Sequence, residues 1–328
     1  MKLQNHRLTF GLIIALALFP FALSWLTGEP IDSGTPKFWQ GMLAQVFILA
    51  VYAVSYDLLM GYTGILSFGH ALFFGAGGYT AGILLKHAAW PLWAVVLAVI
   101  VVAVILGLFI GATSLRVQGV YLTMVTLAFA QMMFVLSEAT DFREWTGAED
   151  GLQGIPVPAW LSPTQQRLMF YFVSLAFCVF SYYLVRRVTQ SPTGRVFIAI
   201  RENELRARAI GYNTFLYKLL AMVASGVLAA LAGMMNALWN LNANPNMLAT
   251  STTINALLMT IIGGAGTLSG PMIGAAFIHL LGYGLNTAFG PRWPLLFGLA
   301  YVGIVLFLPY GFVGAWRSLI ARMKAKRA

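Results

Sequence analysis

The feature that most constrains this chain is a series of long apolar stretches with little polar sequence between them. The 328 residues are 59% hydrophobic and 9% charged, and the mean hydropathy is +0.80. A water-soluble domain of this length does not carry so few charges. Because a helix needs about 20 apolar residues to cross a bilayer core of about 30 Å, the chain has room for about eight to ten crossings. We therefore predict an all-α polytopic membrane protein.

Ten apolar stretches are interpreted as membrane crossings, the eighth and ninth being short. They cover residues 8–26, 38–60, 64–85, 91–113, 119–137, 168–185, 216–238, 251–263, 271–286 and 294–312. The first stretch exceeds the core of a signal peptide, about 7 to 15 residues, and no small-residue cleavage site follows it. We therefore assign residues 1–328 to a single transmembrane domain.

The distribution of charge along the chain predicts its orientation. If the N-terminus is cytoplasmic, ten crossings place most Lys and Arg residues inside and most acidic residues outside, as the positive-inside rule requires. The basic tail with Lys324, Lys326 and Arg327 then lies inside, near anionic lipid headgroups. The net charge of +10 thus reflects membrane topology rather than a nucleic-acid partner. Both termini are predicted to be cytoplasmic.

Two loops are long enough to do more than connect helices. The outer loop, residues 137–167, is rich in turn-forming and acidic residues and either receives an extracytoplasmic partner or is a solvated connector. The inner loop, residues 186–218, reads as a turn, one helical stretch from Arg195 and an end signal at Gly211. Phe197, Ile200, Leu205 and Ala209 would lie near one flank of this stretch. Its mixed charges suit salt bridges with another protein, the alternative being a solvated interfacial helix.

Clustered glycines interrupt the apolar pattern in two places. The glycines concerned are Gly61, Gly64 and Gly69 in the first break and Gly263, Gly264, Gly266 and Gly270 in the second. Non-helical backbone at membrane depth survives only where it is buried in protein or lines an aqueous cavity, so two such breaks indicate a transport pathway. Close packing of helices through small residues is the alternative, which explains Gly75, Gly77 and Gly78 adequately and residues 263–271 less well.

Asp57 and His70 are the ionisable side chains near the first break. An ionisable residue inside the membrane is a functional candidate by default, so both are kept as candidates for the translocation pathway. The predicted topology places Asp57 near the cytoplasmic end of the second helix, where water would solvate it. For His70, a hydrogen-bonded packing role is the competing interpretation.

Several kinds of site are absent from the sequence. There is no Gly-Lys dipeptide, hence no phosphate-binding loop of the kind an ATPase needs, and no zinc-protease or Gly-x-Ser-x-Gly motif. The four histidines are widely spaced and Cys178 is the only cysteine, so neither a metal site nor a disulfide is predicted. We therefore predict no catalytic residues and no cofactor bound by this chain.

Four stretches of sequence together resemble one known family. They are Gly61-Tyr-Thr-Gly-Ile-Leu-Ser-Phe-Gly-His-Ala, Thr146-Gly-Ala-Glu-Asp-Gly-Leu-Gln-Gly-Ile-Pro, Ser191-Pro-Thr-Gly-Arg-Val-Phe-Ile-Ala-Ile-Arg-Glu-Asn-Glu-Leu-Arg-Ala-Arg-Ala-Ile-Gly-Tyr-Asn and Ile262-Gly-Gly-Ala-Gly-Thr-Leu-Ser-Gly-Pro-Met-Ile-Gly-Ala. Nearly the whole chain resembles branched-chain amino-acid ABC-transporter permeases. The resemblance is closer to the second of the two paired permeases than to its partner or to the related urea-transporter permease.

The resemblance implies a type II importer permease in a bacterial inner membrane. Its expected partners are a second permease, two cytoplasmic ATPases that use ATP and Mg, and a periplasmic or lipid-anchored binding protein. The inner loop would fit a groove on the ATPase, with coupling positions at Gly194, Arg201, Glu202, Arg206, Arg208 and Gly211. This chain has Thr252-Thr-Ile-Asn where many relatives carry an acidic residue, so no acidic role is carried over there.

Rival functions stay open on the sequence alone. A urea or amide importer would use the same architecture with another substrate. An ion-coupled secondary transporter would need intramembrane carboxylates, and the sequence provides only Asp57 as a candidate. A membrane-embedded enzyme would need a polar catalytic cluster, which the sequence does not contain. The exact substrate and the identity of the second permease are not predicted.

Overall fold

The structure of the protein is a computed structural model that describes residues 2–307 and 311–315, with the backbone alone for residues 2–10, 305 and 307. Thirteen α-helices make up most of the described chain. They are α1 (Lys2–Thr27), α2 (Gly34–Asp57), α3 (His70–Lys86), α4 (Leu92–Ser114), α5 (Val120–Glu138), α6 (Arg143–Thr146), α7 (Arg167–Gln190), α8 (Pro192–Glu202), α9 (Glu204–Ala209), α10 (Thr214–Asn240), α11 (Thr250–Gly263), α12 (Ser269–Phe289) and α13 (Trp293–Phe307). A π-helical turn, Leu58–Tyr62, continues α2.

A helix lies at each of the ten predicted apolar stretches, and six described segments are long and apolar enough to cross a membrane. These six are Gly34–Tyr62, Leu92–Ser114, Val120–Glu138, Arg167–Gln190, Thr214–Asn240 and Ser269–Ile304. The chain is therefore an all-α polytopic membrane protein. Ten crossings and cytoplasmic termini stay predictions. Residues 308–310 of the tenth stretch and the basic tail lie outside the described residues.

The two crossings predicted to be short, the eighth and the ninth, have different lengths in the structure. α11 has 14 residues, so it is about 21 Å long, shorter than a bilayer core of about 30 Å, and the prediction that the eighth crossing is short is confirmed. The prediction that the ninth crossing is short was wrong, because α12 has 21 residues. The apolar pattern underestimated α12 because it begins among the small residues Ser269 and Gly270, which carry little hydropathy.

Helix α2 lies at the centre of the bundle and packs against α7, α10, α11 and α12. Its side chains Ile48, Ala53 and Tyr56 are fully buried. Helix α4 lies at the periphery, where one of its faces exposes apolar side chains such as Leu97 and Val101. Such a face is suited to contact with lipid tails, because a continuous apolar surface of this kind is unfavourable in water.

Helices α3 and α10 approach each other closely through small residues. A Cβ on Gly77 would overlap the Ala230 carbonyl, and one on Gly233 would overlap the carbonyl of Phe74. In a membrane, where lipid is as apolar as the protein core, such backbone approach is the main source of helix packing energy. The packing interpretation of these glycines therefore describes the α3–α10 contact.

The outer loop is packed against the bundle. Its strand β1 (Leu152–Gln153) pairs antiparallel with β2 (Asn242–Ala243), which follows α10. The side chains of Leu152, Ile155 and Leu161 are buried. The loop is thus a folded cap on this end of the molecule rather than a solvated connector.

The segment between α10 and α11 re-enters the bundle. Leu248 contacts the Gly75 position of α3, and Met247 contacts Gly78 on the same helix. Because α3 is a buried helix, this irregular backbone lies well inside the protein rather than on its outer surface. Non-helical backbone at this depth is tolerated where protein or a water-filled cavity surrounds it.

Candidate functional site

The inner loop folds into two short helices, α8 and α9, which we call the coupling segment. The Ser191 side chain caps α8 by accepting a 3.3 Å hydrogen bond from Gly194 N, with Pro192 in the first turn. Asn203 then ends α8 and caps α9, its Oδ1 accepting from Arg206 N at 2.9 Å. Gly211, with a φ of +95°, follows α9 as the predicted end signal. The prediction of one continuous helix was wrong because Asn203 starts a second one.

The break at Asn203 changes which residues face the protein. Phe197 and Ile200 are buried as predicted, but Leu205 is 77% exposed and Ala209 is exposed as well. The predicted common flank assumed a single helical phase through all four residues, and the phase is reset at Asn203. The coupling segment therefore presents an apolar side chain to the outside.

The predicted coupling residues have different surroundings. Glu202 and Arg206 are exposed, and the Arg206 side chain makes no hydrogen bond to another described residue. Gly194 is buried against Thr189, where any Cβ would overlap the Thr189 carbonyl, so it seats α8 on the end of α7. Only Glu202 and Arg206 of these three are available to a docking protein.

Glu204 fastens the coupling segment to the start of α10. Its carboxylate accepts hydrogen bonds from Arg208 at 2.7 Å and Thr214 at 3.0 Å, and it also pairs with Lys218. Partial burial acts to raise the pKa of Glu204, but the hydrogen bond and charge of Lys218, with the bonds from Thr214 and Arg208, outweigh it and lower that pKa. Arg208, predicted to contact an ATPase, is thus engaged within the chain.

The carboxylate of Asp57 binds the second glycine-rich break. Its Oδ1 accepts a 2.6 Å hydrogen bond from Gly266 N, and its Oδ2 accepts one of 3.3 Å from Leu268 N. The side chain has no exposed surface, so the expectation that water solvates it was wrong. The error arose because the break folds over the end of α2 and replaces water with backbone N–H donors. Asp57 therefore links the end of α2, which precedes the first break, to Gly266 in the second break, 209 residues away in sequence.

Arg201 of α8 reaches the same place from the coupling segment. Its Nη1 donates a hydrogen bond to the Gly61 carbonyl in the first break, and its Cγ lies 3.0 Å from where a Gly64 Cβ would be. We call the group formed by Asp57, Gly61, Gly64, Arg201 and residues 264–268 the glycine junction. Through it, the coupling segment contacts both glycine-rich breaks.

The junction requires glycine for two separate reasons. Gly264 and Gly266 have φ values of +113° and +75°, which side chains disfavour. A Cβ on Gly61 would overlap the Asp57 carboxylate and lie 2.5 Å from Gly266 N. The break also closes on itself, because a Gly263 Cβ would overlap the Gly270 carbonyl.

Gly69 and His70 lie at the start of α3, outside the junction. A Gly69 Cβ would come within 2.7 Å of the Thr126 carbonyl on α5. The His70 ring is fully buried, shares a 2.8 Å hydrogen bond with Ser55 Oγ and stacks on Tyr52. These contacts describe a packed histidine. Among the described residues, no three His, Cys, Asp or Glu side chains form a group that could hold a metal ion.

Sequence reasoning missed a cavity of about 540 Å³ that none of the junction residues lines. It is lined by the re-entrant segment, residues 241–249, together with parts of α2, α3, α10, α11, α12 and α13. Five asparagines face it, namely Asn236, Asn244, Asn246, Asn255 and Asn286. The signal was present in the alternation of asparagine along residues 240–246, Asn-Leu-Asn-Ala-Asn-Pro-Asn, which is unusual next to an apolar helix. We call it the asparagine cavity.

A family model described as "branched-chain amino acid transport system / permease component" matches residues 39–309, which covers both glycine-rich breaks, the coupling segment and the asparagine cavity. The chain belongs to this family. The structural features above are therefore those of a transport permease.

Several curated relatives cover most of the permease. It is 24% identical to the high-affinity branched-chain amino acid transport system permease protein LivM of Escherichia coli (strain K12), over 92% of this chain and 74% of the relative. It is also 24% identical to a probable branched-chain amino acid transport permease protein LivM of Methanocaldococcus jannaschii, over 96% of this chain and 97% of the relative. The autoinducer 2 import system permease protein LsrC of Photorhabdus laumondii is 28% identical over 61% of this chain and 60% of the relative.

Proposed function

We propose that this permease forms the translocation pathway of an ATP-driven importer for leucine, isoleucine and valine. The family match and the LivM relatives support this substrate class. In this proposal the protein lies in a bacterial inner membrane, crosses it about ten times and keeps both termini in the cytoplasm. The charge asymmetry of the sequence supports that orientation.

The proposed assembly contains partners that supply what the chain lacks. Two cytoplasmic ATPases bind ATP and Mg, a second homologous permease completes the pathway, and a periplasmic or lipid-anchored binding protein delivers substrate on the outer side of the membrane. The permease itself binds no cofactor and catalyses no reaction. Exposed Glu202, Arg206 and Leu205 support docking of an ATPase on the coupling segment.

The observation that carries this proposal is the contact of the coupling segment with both glycine-rich breaks. When the ATPases close on ATP, they displace α8, and Arg201 moves the Gly61 carbonyl with it. Asp57 passes the displacement to Gly266 and Leu268, which lie between the end of α11 and the start of α12. The helices around the pathway then switch between inward and outward arrangements.

The environment of Asp57 is evidence against an ion-coupled secondary transporter. Among the described residues, Asp57 is the only buried carboxylate. Both of its oxygens are occupied by backbone N–H groups, so neither is free for a coupling ion. An externally driven switch fits this arrangement better than ion coupling.

Reconstitution of the complete importer in proteoliposomes tests the proposal. We expect leucine uptake that requires ATP on the ATPase side and loaded binding protein on the other. Uptake driven by an ion gradient without ATP would instead establish a secondary transporter. ATP-driven uptake of urea, an amide or autoinducer 2 in place of leucine would keep the importer and refute the substrate.

A further inference from the structure

The asparagine cavity carries an inference about where this permease recognises its substrate. The cavity of about 540 Å³ falls within the range of about 300 to 1,000 Å³ that is usual for small-molecule sites. It lies beside the re-entrant segment and against the short helix α11, two interruptions that mark binding sites in membrane transporters. Its position is therefore that of a solute site within the transmembrane domain.

The polar lining of the cavity supplies both donors and acceptors. Each asparagine amide offers an NH₂ group that donates and a carbonyl that accepts. Four of the five side chains make no hydrogen bond among the described residues, namely those of Asn244, Asn246, Asn255 and Asn286. The side chain of Asn236 accepts a 2.9 Å hydrogen bond from Gln45. Four amides are thus available to a solute. A carboxylate would accept from the NH₂ groups, and an ammonium group would donate to the carbonyls.

The absence of charge in the lining selects the class of solute. No Asp, Glu, Lys or Arg is among the described residues that face the cavity. A cationic solute would therefore find no acidic partner, and an anionic one would find only the imidazole of His279, which makes net charge costly away from bulk water. A zwitterion brings both charges with it, and the amides can bind each end.

Part of the lining is apolar and buried. Met247, Met259 and Ile278 are buried side chains that form part of the wall, and Phe74 lies beside them. Such a wall removes an aliphatic side chain from water, which urea and sugars do not require. A lining that combines amides with buried apolar side chains matches an amino acid with a branched aliphatic side chain.

We propose that the asparagine cavity is a substrate-recognition site of the permease itself, which binds the zwitterionic head of an apolar amino acid through Asn244, Asn255 and Asn286. This inference rests on the proposed function, and adds to it that selection is made twice, once by the binding protein and again in the membrane. In this proposal the second permease covers the open side of the cavity, because exposing these amides to lipid would leave them unpaired.

Direct binding of radiolabelled leucine to the complete importer in nanodiscs, without binding protein, tests this inference. We expect saturable binding that valine and isoleucine displace and that urea, lysine and glutamate do not. Asn255→Ala removes one amide that contacts a charged group, so its affinity for leucine should fall about tenfold or more. Asn255→Asp should weaken leucine binding as well, because its carboxylate repels that of the substrate.

Asn240→Ala is the matched control, since Asn240 is exposed on α10, bonds only to the Asn236 carbonyl and does not line the cavity. It should bind leucine as the parent importer does. Equal affinities for Asn255→Ala, Asn255→Asp and the control would overturn the inference, as would displacement of leucine by urea. ATP-driven leucine uptake is measured on the same importer: if uptake is present without saturable binding, the site is refuted while the proposed function stands, and if uptake is absent, the proposed function itself fails.

Discussion

Replacing Asp57 by alanine should separate ATP hydrolysis from transport by breaking the glycine junction. The change leaves the partly buried N–H group of Gly266 and the buried N–H group of Leu268 without an acceptor, and each such group costs about 1 to 3 kcal/mol. The two together would cost about 2 to 6 kcal/mol. Removing the carboxylate also removes the cost of burying it, so we expect the lower half of that range.

The conservative variant refines this expectation. Asp57→Asn keeps one acceptor oxygen and turns the other into an NH₂ group, which leaves one backbone N–H unpaired. Its cost should be about 1 to 3 kcal/mol, less than that of Asp57→Ala. Asp141→Ala serves as the control, because Asp141 is an exposed acid in the outer loop with no ion pair or side-chain hydrogen bond among the described residues. We expect no measurable change for the control.

Two assays follow from the position of the junction. Thermal unfolding of the purified importer should rank the variants with Asp57→Ala least stable, then Asp57→Asn, then the control. In proteoliposomes, Asp57→Ala should keep basal ATP hydrolysis and import fewer leucine molecules per ATP. If Asp57→Ala matches Asp141→Ala in both assays, Asp57 does not connect the two breaks in function, and the route through the junction is refuted.

Three further predictions concern the coupling segment and its anchor. Glu202→Lys reverses an exposed charge and should uncouple uptake from ATP hydrolysis while the protein still inserts; unchanged uptake would count against docking there. Gly61→Ala should lower both thermal stability and uptake, because its methyl group overlaps the Asp57 carboxylate; Gly284→Ala, which meets no neighbouring atom, is the control. The lowered pKa of Glu204 means that its ion pair stabilises the fold above the ordinary pKa of a glutamate and that this stabilisation is lost as the pH falls through the lowered value. Glu204→Gln should therefore shrink the drop in unfolding temperature between pH 7 and pH 4, and an equal drop would refute this.

The helices could be predicted from the sequence because their signal is local. The crossings predicted at 91–113 and 119–137 nearly coincide with the observed helices Leu92–Ser114 and Val120–Glu138. A bilayer forces each crossing to be a long apolar helix, so composition alone is nearly sufficient. The break at Asn203 also had a local signal, since asparagine before Glu204 and Arg206 is a favourable helix cap, but the continuous charge pattern obscured it.

The functional arrangement could not be predicted in the same way because its contacts are long-range. The sequence indicated both glycine-rich breaks and named Asp57 and Arg201, yet nothing local indicates that they meet. Which break faces which helix end depends on how the whole bundle packs. The asparagine cavity was missed because its residues come from six helices and a re-entrant segment, and each asparagine alone is unremarkable in a loop or at a helix end.

The pairing of β1 with β2 restricts how the outer loop can change in length during evolution. Leu152 is held opposite Ala243, Lys86 Nζ donates to the Gln153 carbonyl at 2.8 Å, and Gly151 packs against Asn244. An insertion between Gly147 and Gln153 would displace Asn244 and its neighbours in the cavity wall. Insertions and deletions among family members should therefore collect at the exposed residues 164–166, and epitope tags intended to leave transport intact belong there.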